Sequence, residues 1–176
     1  CGLSAGGVAT AYAAQTYPGL HQAVMLSPGL GFKALPVQAN PVLASFASLI
    51  PDAYGWWDPV NKDAPTAQDY TYPRFSYRTV GQILYLGDVV RRLAQRKPPQ
   101  AKDILLVTNA NDASVDHRPA YALADAWRKK GAAVRTYEFD AAHKLDHDFV
   151  DPLNAFANTS LVYPVLLDLI IKQAPE

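Results

Sequence analysis

The chain has 176 residues, of which 49% are apolar and 18% charged, and its 16 basic and 16 acidic side chains give a formal net charge of zero. This composition is typical of a folded globular protein with a sizeable core. The neutral balance argues against nucleic acid as the main partner, because phosphate recognition needs a basic surface.

The first part of the chain combines a helix pattern with a buried strand. Residues 5–16 are rich in Ala, and the Tyr-Pro-Gly stop after them predicts the end of a helix. The apolar run 22–26 (QAVML), closed by Ser-Pro-Gly, predicts a buried strand. From 30 to 100, Pro, Tyr and Trp are frequent, and only 79–95 has the apolar spacing of a helix.

The last part of the chain alternates between strand and helix patterns. The patterns predict, in chain order, strand 103–108, helix 119–130, strand 133–139 and helix 152–173. Gly131 is expected to cap the first of these helices. Polar loops, 109–116 (NANDASVD) and 140–151, follow the two strands. Strands that alternate with helices indicate an α/β fold with a parallel sheet.

The opening residues 2–6, Gly-Leu-Ser-Ala-Gly, match the G-x-S-x-G pattern. A nucleophilic serine on a sharp strand-to-helix turn needs small neighbours, so we expect a side chain at Gly2 or Gly6 to collide with the turn or an adjacent strand. Ser4 is the candidate nucleophile, and the backbone N–H of Ala5 is the candidate donor to a developing oxyanion. The alternative is a plain tight turn, which other glycine-rich helix starts also form.

Candidate acids and histidines follow Ser4 in the chain order Ser, Asp, His. Asp112 lies just past the first strand of the second half, with Asp116 as the rival acid. His143 and His147 both lie past the next strand. Each loop is expected to open at the carboxyl edge of the sheet, where Ser4 also lies.

The GLSAGG turn, the NANDASVD loop and the HKLDHDFVDP loop together resemble the α/β-hydrolases, and the resemblance covers essentially the whole chain. It implies that Ser4 forms an acyl-enzyme, that His147 is the general base and that Asp112 orients the imidazole. Asp112 is favoured because Val115 supplies the apolar residue that the family pattern has after the acid. His147 is favoured because His-Asp-x-x-Asp-Pro is similar to the family's histidine loop.

The resemblance also implies an organisation for the chain. The expected parts are the nucleophile turn with its helix and strand (1–29), an inserted cap (30–100), and the C-terminal part of the hydrolase core (101–176). The cap resembles that of lysophospholipase-like and monoglyceride-lipase-like members. Its aromatic side chains Trp56, Trp57 and Tyr72 are candidates to line an acyl pocket, and anchoring the cap on the core is the equally good alternative.

The family has several strands before the nucleophile turn, together with a loop that supplies the second oxyanion-hole N–H. The chain therefore resembles the C-terminal part of a larger hydrolase. On that basis we expect the strand 22–26 to become a sheet edge, and residues 1–176 expressed alone to be aggregation-prone and inactive.

The implied function is hydrolysis of a carboxylic ester, with a small-molecule ester or lipid as the partner. One alternative is an aminopeptidase-like peptidase, which needs an anionic patch in the cap to hold a substrate amine. The acidic residues available for such a patch are Asp52, Asp58, Asp63 and Asp69. A second alternative is a non-catalytic binding protein of the same fold, against which the intact Ser, Asp and His set argues.

No cofactor or metal is expected. His143 and His147 have the i, i+4 spacing of some zinc sites, but they lie in a loop with no glutamate between them. The single cysteine, Cys1, excludes a disulfide framework within the chain and a cysteine-rich zinc site. No apolar run approaches the roughly 18 residues of a membrane span. His21 and His117 are expected at surface or capping positions, although His117 follows the acid loop closely enough to reach the site.

Overall fold

The computed structural model describes residues 1–33, 52–56, 60, 72–154 and 156–172. In chain order the strands are β1 (Gly2–Leu3), β2 (Gln22–Leu26), β3 (Tyr54–Trp56), β4 (Arg74–Ser76), β5 (Asp103–Asn109) and β6 (Ala133–Phe139). The α-helices are α1 (Ala5–Thr16), α2 (Tyr77–Arg96), α3 (Arg118–Arg128) and α4 (Thr159–Ile171). Four strands form a parallel sheet in the order β1-β2-β5-β6, and β3 and β4 form a separate antiparallel pair. The predicted α/β fold with a parallel sheet is confirmed.

The core lies on both faces of the sheet. Alternate residues of β5 point to opposite faces, as the pleat of a strand requires. Ile104 and Leu106 pack with the buried residues of α1, α2 and α3, whereas Leu105 and Val107 pack with those of α4. Every residue of β5 is buried, which is the pattern of a central strand covered on both faces.

The predicted bounds of α1, β2 and β6 are confirmed, but the last helix begins later than predicted. The sequence predicted a helix over 152–173, and α4 begins at Thr159. The side chains of Asp151 and Asn154 accept the backbone N–H groups two residues ahead, at 2.8 and 3.0 Å. These local bonds stabilise turns in place of a helix, so the helical path begins only after Asn158, whose φ is 43°.

The expectation that β2 forms the sheet edge is wrong over its second half. Gly2 pairs with Met25 and Leu3 with Leu26, so β1 lies outside β2 there. The reason is that the two residues before Ser4 already run extended and parallel to β2. The backbone N–H of Ser4 continues this alignment by donating to Leu26 O at 3.0 Å.

Helix α2, at the end of the segment 30–100, packs on the core. Its buried residues include Leu84, Val90 and Ala94, and the last two belong to the same apolar cluster as α1 and β5. The helix begins two residues before the predicted 79–95 because the Ser76 side chain caps it, accepting the N–H of Thr79 at 3.1 Å. The division of the chain at 29 and 100 remains a prediction. Within the described part of the chain, no helix has both the length and the apolar character needed to cross a membrane.

Candidate active site

Ser4 lies on a sharp turn between β1 and α1. Its φ of 53° and ψ of −115° are rarely adopted by residues other than glycine. The turn is held on both sides by backbone bonds. Ser4 N–H donates to Leu26 O, and Ser4 O accepts from Gly29 N–H at 3.0 Å and from Val8 N–H at 3.2 Å. The surrounding main chain thus stabilises the strained conformation.

The Ser4 hydroxyl is not used to cap α1. Ser4 occupies the N-cap position, where a serine side chain ordinarily accepts a helix N–H, yet it makes no such bond. Ala5 is the first residue of α1, so its N–H belongs to the helix-end groups that have no acceptor within the helix. The partial positive charge of the helix is concentrated at this end, beside Ser4.

The glycines around Ser4 do not contribute equally. A Cβ at Gly2 would lie 2.2 Å from Gly6 O, so the collision expected at Gly2 is confirmed. The same expectation for Gly6 is wrong, because a Cβ there would meet nothing within 4 Å. Close packing falls instead on Gly7, where a Cβ would lie 2.9 Å from Pro28 Cα. Glycine is therefore needed where the helix contacts the chain beside it and not on its open side.

Asp112 is fully buried, and both oxygens of its carboxylate are hydrogen-bonded. Oδ1 accepts the backbone N–H groups of Ser114 and Val115, both at 2.9 Å, and Oδ2 lies 2.7 Å from Nδ1 of His147. Burial raises the pKa of Asp112, but the hydrogen bond and charge of His147 and the two backbone N–H groups outweigh it and lower the pKa to about 2. Asp112 is therefore anionic at neutral pH, and His147 Nδ1 is the donor.

Of the two candidate acids and the two candidate histidines, the structure brings together Asp112 and His147. Asp116 is paired with Arg118, whose Nε lies 3.0 Å from each carboxylate oxygen. That hydrogen bond lowers the pKa of Asp116. His143 is exposed at the end of a short 3₁₀ turn.

His117 contacts the same carboxylate, while His21 is exposed, as expected. His117 occupies the N-cap position of α3, but its side chain makes no capping bond and is only 10% exposed. Its Nε2 lies 3.1 Å from Asn109 O and 3.5 Å from Asp112 Oδ2. Burial lowers the pKa of His117, although the charge of Asp112 opposes this. His117 thus lies at a capping position, one of the two predicted, but not at the surface, and it reaches the site as its place just after the acid loop had indicated.

All three candidate residues follow strands of the parallel sheet. Ser4 comes directly after β1, Asp112 follows β5, and His147 follows β6. Because the carboxyl ends of parallel strands meet at one edge of the sheet, the three residues share that edge. In doubly wound sheets this is the edge where ligands bind.

The chain after β2 connects the Ser4 turn to the acid loop. Gly29 N–H donates to Ser4 O, and two residues later Gly31 O accepts the N–H of Asp116 at 3.0 Å. Phe32 and Val115 form a β-bridge beside this contact. A short run of main-chain bonds thus positions the Ser4 turn against the loop that carries the acid.

The aromatic candidates lie around the β3–β4 pair. Trp56 is half-buried in β3, Tyr72 is 83% exposed just before β4, and Trp57 lies outside the described residues. Across the pair, the Arg74 guanidinium lies 4.6 Å from the centroid of the Tyr54 ring. An acyl-binding role for Trp56, Trp57 and Tyr72 stays a prediction.

The described residues include one of the acidic candidates for a substrate-amine site and no candidate metal site. Among the four acidic candidates for an amine site, Asp52 accepts a hydrogen bond from Ser76 Oγ at 2.5 Å, and Asp58, Asp63 and Asp69 lie outside the described residues. Within the part of the chain that the structure describes, no group of three or more His, Cys, Asp or Glu side chains is placed to hold a metal ion.

No family model and no curated protein matches the sequence. Solved structures do match. Monoacylglycerol lipase from Paleococcus ferrophilus has a TM-score of 0.65 and 18% identity, over 97% of this chain and 66% of that one. A soluble variant of monoglyceride lipase from Saccharomyces cerevisiae, in complex with a substrate analogue, has a TM-score of 0.63 and 13% identity, over 97% and 63%. A structure of the metagenome-derived lipolytic enzymes LipS and LipT has a TM-score of 0.59 and 19% identity, over 97% of this chain and 63% of that one.

These matches define the class of structure. The chain has the α/β-hydrolase fold, as the sequence motifs predicted. It spans 63 to 66% of the length of the three matched chains.

Proposed function

We propose that the protein is a serine hydrolase that cleaves a carboxylic ester, with Ser4, His147 and Asp112 as nucleophile, base and acid. The observation that carries the proposal is the 2.7 Å contact between His147 Nδ1 and the buried Asp112 carboxylate. This pair lies at the sheet edge where Ser4 occupies a strained turn at a helix start. The chain order Ser, Asp, His is that of hydrolases with this fold.

The contact determines which nitrogen of His147 exchanges protons. Because Nδ1 donates to Asp112, Nε2 is the nitrogen that takes the proton from Ser4 Oγ as Oγ attacks the ester carbonyl. The negative charge of Asp112 stabilises the imidazolium that forms. Nε2 then gives the proton to the departing alkoxide, which leaves an acyl group on Ser4. A water molecule, deprotonated by His147, attacks this acyl group, and the acid is released as the proton returns to Ser4.

The start of α1 is suited to the charge that develops during the attack. The carbonyl oxygen of the substrate becomes an oxyanion beside Ser4, where Ala5 N–H and the positive end of the helix dipole lie. We assign Ala5 N–H as one oxyanion donor. This group needs no rearrangement during the reaction, because α1 and the bonds around Ser4 already fix it.

The proposal of a carboxylic ester is supported by the names of the matched structures. The matched proteins carry the names of monoacylglycerol, monoglyceride and other lipolytic enzymes. A small-molecule ester or lipid is therefore the substrate class proposed here. Trp56, Trp57 and Tyr72 are proposed to contact its acyl chain.

The test is covalent labelling of the full-length protein by a fluorophosphonate probe, which reacts only with an activated serine. We expect labelling of the wild type and none of Ser4→Ala. The matched control is Ser27→Ala, since Ser27 is buried, also has a positive φ (36°), and has a side-chain oxygen without a partner among the described residues. The control should label like the wild type. Labelling that persists in Ser4→Ala, or a wild type that does not label, would contradict the proposal, and the second result would favour a binding protein.

A further inference from the structure

Asn109 is the last residue of β5 and is fully buried. Its amide nitrogen donates to Leu145 O at 2.8 Å and to Asp146 O at 2.9 Å. Its amide oxygen accepts the backbone N–H of Asn111 at 3.0 Å. Both carbonyl partners immediately precede His147. One buried side chain therefore connects the strand that carries the acid loop to the segment that carries the histidine.

The backbone of Asn109 reaches the other member of the pair. Its carbonyl oxygen accepts the N–H of Asp112 at 3.0 Å and lies 3.1 Å from Nε2 of His117. Asn109 also pairs with Phe139, the last residue of β6, so it lies where the acid loop and the histidine loop begin to diverge. The same residue thus contacts both loops at their point of separation.

Several contacts hold the histidine loop after His147: Phe149 is buried, Asn154 Nδ2 donates to Asp148 O at 2.9 Å, and Tyr163 Oη donates to Val150 O at 2.8 Å. Before His147, the described residues make fewer contacts. After β6 the loop contains one 3₁₀ turn, and the next helix, α4, begins at Thr159. Leu145 anchors it in the core, and Asp146 N–H reaches Phe156 O at 3.4 Å, a long distance for a hydrogen bond. The Asn109 bonds are shorter than this, and the one to Leu145 O is buried, where a hydrogen bond is stronger than in water. Asn111 Nδ2 also donates to Leu145 O, at 3.1 Å.

We propose that Asn109 is a positioning residue that sets the distance between Asp112 and His147 by bonding the backbone just before His147. This deepens the proposed function and rests on it. Without the Asn109 bonds, the peptides just before His147 could shift and let the imidazole move away from the carboxylate. Two donors from one planar amide determine both the position and the tilt of the peptides at 145 and 146.

The variant that tests this is Asn109→Asp, which keeps the shape of the side chain. It replaces two N–H donors by an oxygen that faces two carbonyl oxygens, so the contact becomes repulsive. The matched control is Asn111→Ala, because the Asn111 side chain donates to the same Leu145 O at 3.1 Å but belongs to an exposed residue. If the position of His147 depends on the buried bond and on the second carbonyl, Asn109→Asp will have a larger effect than Asn111→Ala on both readouts below.

The first readout is the proton on His147 Nδ1, followed by NMR exchange in the labelled full-length protein. The 2.7 Å bond to the carboxylate must open before this proton exchanges with water, so the exchange rate reports how well His147 is held against Asp112. We expect Asn109→Asp to speed that exchange by about tenfold or more, and Asn111→Ala to leave it within about twofold. This readout needs no turnover, so it is independent of the proposed function.

The second readout is ester hydrolysis. We expect Asn109→Asp to lower kcat by about 10- to 100-fold with KM within about twofold, since the change misplaces the base without touching the substrate. Equal effects of the two variants, or unchanged exchange and kcat in Asn109→Asp, would overturn the proposal.

Two further outcomes remain interpretable. If Asn109→Asp does not fold, amide exchange in the wild-type protein tests the proposal instead. Side-chain amide protons of Asn109 that exchange as slowly as core amides support the bonds, and rapid exchange overturns them. If the wild type has no Ser4-dependent turnover, the proposed function fails, while the exchange of the His147 proton still decides the role of Asn109.

Discussion

The Ser4 turn and the histidine loop reach the same edge of the sheet but are held there by different means. Main-chain bonds to Leu26 and Gly29 hold the Ser4 turn, and glycines allow its close packing. Side chains from other elements hold the histidine loop, among them the carboxylate of Asp112 and the amide of Asn109. A turn built from main chain leaves a short local motif in the sequence, whereas the distant side chain that holds a loop, such as Asn109, is not part of that loop's own motif.

The largest effect on activity is expected from a substitution in the histidine loop. His147→Ala should lower kcat for ester hydrolysis by about 10⁴- to 10⁶-fold, the scale of removing a member of a Ser-His-Asp triad. His143→Ala, at an exposed position four residues earlier, should stay within about threefold. Steady-state kinetics of both variants in the full-length protein check this. The reverse ranking would show that the wrong histidine has been assigned to Asp112.

The packing of the Ser4 turn can be disrupted at Gly2 and left unchanged at Gly6. Gly2→Ala places a Cβ 2.2 Å from Gly6 O and should lower the free energy of unfolding by about 2 to 3 kcal/mol. Gly6→Ala meets nothing within 4 Å and should be neutral or stabilise α1 by up to about 1 kcal/mol. Denaturant unfolding of both variants measures the difference. Equal destabilisation would mean that the turn is not packed as described.

The sequence predicted the main-chain features well for a physical reason. The Ala-rich run of α1, the apolar run of β2 and the Gly-x-Ser-x-Gly turn are local patterns, and local patterns determine local backbone. The Ser, Asp, His order followed from the loops after each strand. Even here the sequence did not distinguish Gly6 from Gly7, because the distinction depends on Pro28, which lies beside the helix as a result of the path of the chain after β2.

The side-chain features were harder to predict. Asn109 looks like one polar residue among several in a turn-rich loop, and its partners lie more than thirty residues away in the chain. The His117 side chain is only 10% exposed because it lies against Asn109 O and the Asp112 carboxylate, contacts that helix periodicity does not register. Helix α4 begins late because Asp151 and Asn154 bond nearby N–H groups, which helix periodicity does not register.

The smallest effect concerns the pH dependence of stability. The pKa of Asp112 is lowered from 3.8 to about 2 in the folded protein. At pH values above the unfolded-state pKa, the ionised carboxylate therefore stabilises the fold by about 2 kcal/mol. This contribution is lost as the pH falls through 3.8 towards 2. The difference in unfolding free energy between wild type and Asp112→Asn should therefore shrink over that interval. A difference that stays constant would show that Asp112 is not held as an anion.

The most direct measurement is a double-mutant cycle between Ser4 and His147 in the full-length protein. If the two residues act as one unit with Asp112, removing the second after the first costs little. We predict that Ser4→Ala and the Ser4→Ala, His147→Ala double variant hydrolyse a short-chain nitrophenyl ester at residual rates within about threefold of each other. A further loss as large as that caused by His147→Ala alone would show that the two residues act independently, and would contradict the assignment of a Ser-His-Asp triad.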